Sequence, residues 1–243
     1  MPKRKISEAT MKSALAYANR KRRRRVRSTA RKALKEVSKL KKMVNKTMEN
    51  KQVNYSATNQ SITSAGYQTG SFLRTQIGAE DGDALGSASR IGNSITLLNQ
   101  RVCMNLTASS SDSYNQLRVI ICESLDGNQA LTLQDVLQYY SYQLHGSLVF
   151  ASPYTTKTST NRRYKIHLDK SFTLSGLPTK GGVPPAKVIK HVVKYKNGKV
   201  IDFDGPGSVN PNNHRLSILL ISDSVSATHP ILDYATRSTY KDA

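Results

Sequence analysis

The sequence predicts an all-β protein, a β-sandwich or jelly roll that follows a basic N-terminal arm. Three observations predict this fold class: recurring segments rich in β-branched residues, turn signals between those segments, and a concentration of positive charge near the N-terminus. The chain has 243 residues, of which 37% are hydrophobic, and this is enough for one core of ordinary size. We therefore expect one sandwich and one arm.

Six segments have the composition of strands, and turn signals lie between them. The segments are residues 94–106, 116–123, 163–174, 188–195, 215–222 and 234–240. The turn signals include Asp126-Gly127-Asn128, Gly181-Gly182, Asn197-Gly198 and Gly205-Pro206-Gly207. Residues 132–140 look helical. Residues 90–243 are therefore predicted to form the sandwich, and residues 51–89, rich in Ser, Thr, Asn, Gln and Gly, a polar connector with short strands.

The arm, residues 1–50, holds most of the excess charge of the chain. It contains 18 Lys and Arg against 3 Asp and Glu, a net charge of +15 out of +21 for the whole chain. Residues 20–27 read RKRRRRVR, with seven cations in eight positions. A folded surface does not crowd cations in this way without a polyanion to neutralise them. Because guanidinium groups bind phosphate in a fork, the arm is predicted to bind nucleic acid without sequence preference.

The arm is predicted to be disordered to about residue 27 and helical over residues 28–50. Ser28 can cap this helix, and its spacing of three or four residues places near one face Leu34, Val37, Leu40 or Lys41, Val44 and Met48. The arginine tract also fits a nuclear localisation signal, which would bind nuclear import receptors. The cations predicted to bind nucleic acid are Lys3, Arg4, Lys5, Lys12, Arg20, Lys21, Arg22, Arg23, Arg24, Arg25, Arg27, Arg31, Lys32, Lys35, Lys39, Lys42 and Lys46.

A second basic cluster lies in the predicted sandwich. It comprises Lys187, Lys190, Lys194, Lys196 and Lys199, together with Arg162, Arg163 and Lys165. The cluster would either extend the phosphate-binding surface or protect an exposed strand edge with lysines. Both interpretations remain open from the sequence.

The sequence argues against an enzyme and against a membrane protein. The motifs GxGxxG, GxxxxGK[ST], HExxH, GxSxG and CxxC do not occur, and the five histidines have no i, i+3 or i, i+4 partner among themselves. No apolar stretch approaches the roughly 20 residues of a membrane span. Cys103 and Cys122 lack metal-ligand spacing and are predicted to be reduced core residues.

Six local motifs, in consistent order, resemble parts of the coat protein of satellite tobacco necrosis virus. KMVNKTMENK (residues 42–51) resembles the end of its N-terminal helix, and RIGNSITL (90–97) resembles its first major strand. LTLQDVL (131–137) resembles a helix between two strands, and RRYKIHLDKSFTLS (162–175) the strand pair that follows. LSILLISDS (216–224) and YKDA (240–243) resemble the last two strands and the chain end. The longer arginine-rich arm is more similar to the capsids of small circular single-stranded DNA viruses.

The resemblance implies an eight-stranded viral jelly roll, with residues 90–243 as the shell domain of a capsid protein. It further implies a virion whose T=1 icosahedral capsid contains 60 copies around a small single-stranded genome. Whether the genome is RNA or DNA stays open. Before assembly the protein would be in the cytoplasm or nucleus of the host cell, with no membrane partner.

The resemblance also implies calcium at subunit interfaces. Carried over residue by residue, the ligands would be the carboxylates of Glu49 and Asp242, the backbone carbonyls of Ile91 and Ser94, and the carboxylate of Asp81 or Asp83. Such hard oxygen ligands suit calcium. The alternative for Glu49 and Asp242 is an ordinary salt bridge to a neighbouring lysine.

A second functional class is compatible with the same charge pattern. A non-viral nucleic-acid-binding protein with a basic tail, acting as a monomer or small oligomer, would need the arm but no shell. The size of the assembled particle discriminates between the two hypotheses.

Overall fold

The chain divides into two units, residues Met1–Glu49 and Asn50–Ala243. The computed structural model describes residues 13, 16, 19, 29–40, 43, 50–77, 88–109, 111–112, 114–155, 163–175, 185–225 and 228–242. No helix within these described residues is long and apolar enough to cross a membrane.

In the first unit, residues 29–40 and residue 43 are helical, within the predicted span of 28–50. We call residues 29–40 the arm helix. Leu34, Val37 and Leu40, spaced three apart as predicted, are all exposed. On its polar surface, Lys39 Nζ lies 2.9 Å from Glu36 Oε1. The arm helix is therefore amphipathic, and its apolar stripe is available for packing against another surface.

The second unit contains ten strands in two four-stranded sheets and one short pair. They are β1 (Asn50–Ser61), β2 (Tyr67–Gly70), β3 (Thr75–Ile77), β4 (Ala88–Arg90), β5 (Ser94–Thr107), β6 (Tyr114–Ser124), β7 (Tyr164–Ser175), β8 (Ala186–Asp202), β9 (Leu216–Ser222) and β10 (Ile231–Asp242). Sheet A has the order β1-β10-β5-β8 and sheet B the order β2-β9-β6-β7, with neighbours antiparallel throughout. β3 and β4 form a separate parallel pair.

This strand order is that of a jelly roll. The chain passes from one sheet to the other at nearly every connection, and of the eight described sandwich strands only β6 and β7 follow one another within a sheet. Antiparallel strands that alternate between two sheets in this order make the double Greek key. The predicted all-β, eight-stranded jelly roll is thereby confirmed.

The core lies between the sheets and follows from the alternation of side chains along each strand. On β5, Val102, Met104 and Leu106 face inward, and on β6, Leu117 and Val119 meet them from the opposite sheet. The intervening residues of β5 face outward. The rings of Tyr55, Phe72 and Tyr234 pack together at centroid distances of 5.9–6.1 Å and seal one part of this core.

The outer face of sheet B is covered by residues 131–155, which connect β6 to β7. This segment contains α1 (Leu133–Val136), α2 (Tyr142–His145) and a 3-10 helix (Gly146–Ala151). Thr132 caps α1 through a capping box with Asp135. Leu133, Val136 and Val149 of the segment pack on outward-facing residues of the sheet and form a second apolar cluster.

The sequence predictions for several individual strands and for one helix are wrong. RIGNSITL does not begin the first major strand: Arg90–Asn93 precede β5, and β1 is the first strand, pairing with β10 over residues predicted as a connector. Residues 162–175 contribute one strand, β7, rather than a pair. The predicted helix over residues 132–140 ends at Val136, because Leu137 pairs with Tyr154 in a β-bridge.

Asn197-Gly198 does not separate two strands but lies inside β8. The register jumps here, since Asn99 pairs with Lys194 whereas Leu97 pairs with Lys199. Gly198 has φ +75°, a backbone conformation that side chains with a Cβ rarely adopt. The turn signal therefore marks a bulge within a long strand.

The two cysteines are free, as predicted, but they occupy different environments. Cys122 is buried in the apolar cluster under residues 131–155. Cys103 is half-buried and faces outward from sheet A, between the inward-facing Val102 and Met104. The prediction that both are core residues is thus wrong for Cys103, because β5 alternates its side chains between core and surface.

Candidate nucleic-acid interface

The arm helix presents exposed cations at helical spacing. Of the predicted nucleic-acid-binding residues, Arg31, Lys32, Lys35 and Lys39 lie on it, and all four are exposed. Lys32, Lys35 and Lys39 are three and four residues apart, so they lie along one side. The remaining predicted cations lie outside the described residues: Lys3, Arg4, Lys5, Lys12, Arg20, Lys21, Arg22, Arg23, Arg24, Arg25, Arg27, Lys42 and Lys46.

The second basic cluster predicted from the sequence is divided by the strand alternation of β8. Lys190 and Lys194 are exposed on the outer face of sheet A. Lys187 lies 5.8 Å from the Phe172 ring centre, and Lys199 Nζ lies 2.6 Å from Glu123 Oε1 between the sheets. Lys187 and Lys199 therefore have partners within the chain.

The other members of this cluster lie apart from Lys190 and Lys194. Arg163 Nε is 3.1 Å from Asp126 Oδ2, in a largely exposed ion pair. Lys165 is exposed on β7 of sheet B, and Lys196 is exposed next to the β8 bulge. Arg162 lies outside the described residues. The cluster that is contiguous in sequence is therefore dispersed over several parts of the sandwich.

Two arginines that the sequence analysis did not single out join Lys190 and Lys194. Arg101 of β5 and Arg237 of β10 are Cα partners across the sheet, and both are exposed. We call Arg101, Arg237, Lys190 and Lys194 the cationic face. Arg101 and Arg237 are isolated along the sequence, and the signal that could have found them is the outward position of Arg101 between the buried Gln100 and Val102.

A buried charge network joins the two sheets at Glu123. Glu123 Oε2 lies 2.9 Å from His167 Nε2, and Glu123 Oε1 lies 2.6 Å from Lys199 Nζ and 3.3 Å from His214 Nδ1. Burial alone would raise the pKa of Glu123, but hydrogen bonds from His167, His214 and Lys199 outweigh it and hold this pKa well below its usual range. Burial lowers the pKa of His214 and so favours the neutral ring. All the groups in this network have partners, which is typical of a structural network.

A second buried ion pair anchors the cover of sheet B. Arg118 donates to both carboxylate oxygens of Asp169, at 3.0 and 2.7 Å, and to the carbonyl oxygens of Val149 and Ser152, at 2.7 and 3.1 Å. Tyr154 donates to Asp169 at 2.6 Å. Burial would raise the pKa of Asp169, but the bonds from Arg118 and Tyr154 outweigh it and lower this pKa. Arg118 is thus occupied by the protein itself and is not free to bind a ligand.

The residues predicted to bind calcium are only partly described. Asp242 is buried, and its Oδ2 accepts hydrogen bonds from the backbone N of Ile91 at 2.7 Å and from Lys51 Nζ at 3.0 Å. Lys51 therefore supplies the positive charge that calcium would supply, and Ile91 directs its N–H, rather than its carbonyl, at this carboxylate. The contact with Lys51 is the salt bridge considered as the alternative for Asp242, whereas Oδ1 of this carboxylate is buried with no hydrogen-bond partner among the described residues.

Of the other predicted calcium ligands, only Ser94 lies within the described residues. Ser94 begins β5 opposite Asp202, whereas Glu49, Asp81 and Asp83 lie outside the described residues. The described residues contain no group of three or more His, Cys, Asp or Glu arranged to hold a metal ion. Calcium binding at a subunit interface stays a prediction.

The chain has only low structural similarity to the known proteins named below. No protein-family model and no curated protein sequence matches the chain. Among solved structures, the chain is similar to a chain of desmodium yellow mottle tymovirus, with 10% sequence identity and a TM-score of 0.38. The match covers 80% of this chain and 88% of that one. The values for turnip yellow mosaic virus are 8% identity, a TM-score of 0.36, and coverage of 81% and 82%.

A protein of another kind is about as similar. Dimeric latent PorU from Porphyromonas gingivalis has 8% identity and a TM-score of 0.35, with 80% of this chain and 13% of that chain covered. TM-scores at this level are too low to assign a function. The jelly-roll assignment therefore rests on the strand order, and the function has to be argued from the residues of this chain.

Proposed function

We propose that this protein is a viral capsid subunit that assembles with copies of itself and packages a small single-stranded genome through its arm. The observation that carries the proposal is the coincidence of two boundaries. The strongly basic segment ends where the jelly roll begins: the arm carries a net charge of +15, and β1 starts at Asn50. A jelly roll with a separate, highly cationic arm suits a container that must neutralise a polyanion.

The mechanism is physical, and no covalent bond is made or broken. Arm cations that contact phosphates release condensed counterions, which concentrates subunits on the nucleic acid. In a shell of 60 copies, the arms would supply on the order of 900 positive charges, enough to offset a large part of a small genome. Guanidinium and ammonium groups bind phosphates regardless of base sequence, so packaging would show little sequence preference.

Assembly would bury surfaces that the single chain leaves exposed. Large apolar side chains are exposed at several places around the sandwich: Leu125, Leu144, Leu148, Val200 and Val225. Contacts between non-equivalent surfaces, repeated around symmetry axes, close a shell from one kind of subunit. We propose the T=1 shell of 60 copies implied by the satellite-virus resemblance, with the virion as its location. Import through the arginine tract would serve a nuclear assembly stage.

Electron microscopy of the purified full-length protein tests this proposal most directly. We expect uniform round particles whose absorbance ratio at 260 and 280 nm shows packaged nucleic acid. Deleting residues 1–27 should remove most of that nucleic acid and weaken its salt dependence, while the sandwich stays folded. Small species only, bound to nucleic acid in a salt-dependent manner, would favour the non-viral nucleic-acid-binding protein instead. Unchanged nucleic-acid content after the deletion would contradict the role of the arm.

A further inference from the structure

We propose that the cationic face is a second nucleic-acid site, which binds the phosphodiester backbone of a single strand. The inference rests on the proposed function, since it assigns a further surface to the same polyanion. It concerns the jelly roll itself rather than the arm. Its residues are fixed on three neighbouring strands of sheet A: Arg237 on β10, Arg101 on β5, and Lys190 and Lys194 on β8.

The two arginines stand directly opposite one another. Arg237 and Arg101 are Cα partners in the antiparallel pair of β10 and β5. Like charges at opposed positions of a sheet are destabilising. A bound anion between the two guanidinium groups would reverse the sign of this interaction. The arrangement is therefore costly in the free subunit and favourable with a phosphate present.

The two lysines extend the positive charge to the next strand. Lys190 is the Cα partner of Cys103, and Lys194 is the Cα partner of Asn99, which places both lysines diagonally to Arg101. Diagonal neighbours on one face of a sheet are about 7–8 Å apart, within reach of long side chains. Several phosphates of one strand could therefore be contacted at the same time.

Within the described part of the chain, no carboxylate neutralises the cations of this face. Among the described residues, none of the four forms an ion pair with a carboxylate. Arg237 Nε donates to Asn54 Oδ1 at 2.9 Å, which orients the guanidinium and leaves its terminal nitrogens for another acceptor. An open depression of about 430 Å³ lies beside these groups, lined by Asn54, Arg101, Cys103 and Arg237 among others.

The chemistry of the face favours backbone phosphates over bases. Tyr195 of β8 and both Tyr234 and Tyr240 of β10 point into the core. On the neighbouring β1, the ring of Tyr55 packs against Phe72 and Tyr234. Flat aromatic groups for base stacking are therefore missing from this part of the described surface. The ladder partners next to the cations, such as Asn99 and Thr239, are uncharged. Binding should be independent of base sequence and strongly dependent on salt.

Salt titration of the full-length protein with a short single-stranded oligonucleotide tests the proposal. The variant K190Q/K194Q has a matched control in K165Q/K170Q, which removes two exposed lysines from β7 of sheet B. The slope of log K against log salt is negative, and each lost phosphate contact should reduce its magnitude by about 0.7. The magnitude for K190Q/K194Q should therefore be smaller than that of the wild type by roughly 1.4. The variant R101Q/R237Q should lose a similar amount, and the control should keep the wild-type slope.

Thiol labelling of Cys103 gives a second, independent readout. Cys103 lies on the cationic face opposite Lys190, whereas burial raises the pKa of Cys122 to about 12 and keeps that thiol unreactive. The oligonucleotide should slow labelling of Cys103 in the wild type and in K165Q/K170Q. Protection should be weaker in R101Q/R237Q. Unfolding midpoints of all variants, measured alongside, separate lost binding from lost folding.

The outcomes distinguish this site from the arm. If deletion of residues 1–27 abolishes binding while K190Q/K194Q behaves as K165Q/K170Q does and Cys103 is not protected, the second site is refuted and the role of the arm stands. If the variants of the cationic face reduce the magnitude of the salt slope and the deletion does not, the second site is supported and the role of the arm is contradicted. We expect the arm and the cationic face to contribute to binding together.

Discussion

The outer face of sheet B is apolar and covered by residues 131–155 of its own chain, whereas the outer face of sheet A carries exposed arginines and lysines. Both faces contain an arginine on a long strand, yet the two arginines serve different purposes. Arg118 is buried and fully engaged by Asp169 and two carbonyl oxygens. Arg101 is exposed opposite another arginine. The environment of an arginine, rather than its position on a strand, decides whether it stabilises the fold or stays available to a ligand.

The largest expected effect comes from Arg118→Ala. Removing one partner of a buried ion pair leaves Asp169 uncompensated and frees the carbonyls of Val149 and Ser152, so the free energy of unfolding should fall by about 3–5 kcal/mol. Urea denaturation followed by circular dichroism measures this loss. A change below about 1 kcal/mol would show that Arg118 does not anchor the cover of sheet B.

An intermediate effect is expected for Glu123→Gln, which alters the inner side where the two sheets meet. Loss of the charged hydrogen bonds to His167 and Lys199 should lower the free energy of unfolding by about 2 kcal/mol at neutral pH. Because the pKa of Glu123 is lower in the folded state than in the unfolded state, its stabilisation is present above the unfolded pKa and is lost as the pH falls.

The same measurement made over a range of pH sharpens this test. The difference between wild type and Glu123→Gln should shrink as the pH falls below about 4.5, the ordinary pKa of a glutamate. His214, whose pKa is lowered by burial, also makes the folded state less stable as the pH falls below the usual histidine range. A difference independent of pH would contradict the role assigned to the Glu123 charge.

A much smaller effect on stability is expected for Arg101→Ala. The side chain is exposed and opposes Arg237, so the free energy of unfolding should change by no more than about 0.5 kcal/mol, and an increase is the expected sign. Differential scanning calorimetry of this variant beside Arg118→Ala compares the same substitution on the two faces. A loss of stability as large as that of Arg118→Ala would contradict the distinction between the buried Arg118 and the exposed Arg101.

The smallest effect is expected from calcium. If the Lys51 ammonium neutralises Asp242, assembled particles should melt at the same temperature with calcium as with a chelator. A calcium-dependent rise in the melting temperature that disappears in Asp242→Asn would instead support the interface site implied by the satellite-virus resemblance.

Strands with a distinct apolar pattern could be predicted from the sequence, and polar strands could not. β9 is buried along its whole length and is evident in the sequence as an apolar run. β1 has mostly polar residues because its outer side is exposed, and its inward residues Val53, Tyr55 and Ala57 are too few to stand out. The arm could be predicted because its charge is contiguous in sequence. Arg101 and Arg237 are distant in sequence, and only the strand register brings them together.

The pairing of β1 with β10 has a practical consequence for engineering. Asn50 is the Cα partner of Lys241, so the start of the first sandwich strand and the end of the last one are neighbours. A passenger protein joined after β10 would leave the jelly roll beside the point where the arm joins it. In the proposed shell, where the arm binds the enclosed genome, such a fusion would share the compartment of the base of the arm, so the end of β10 would be the attachment point for enclosed cargo.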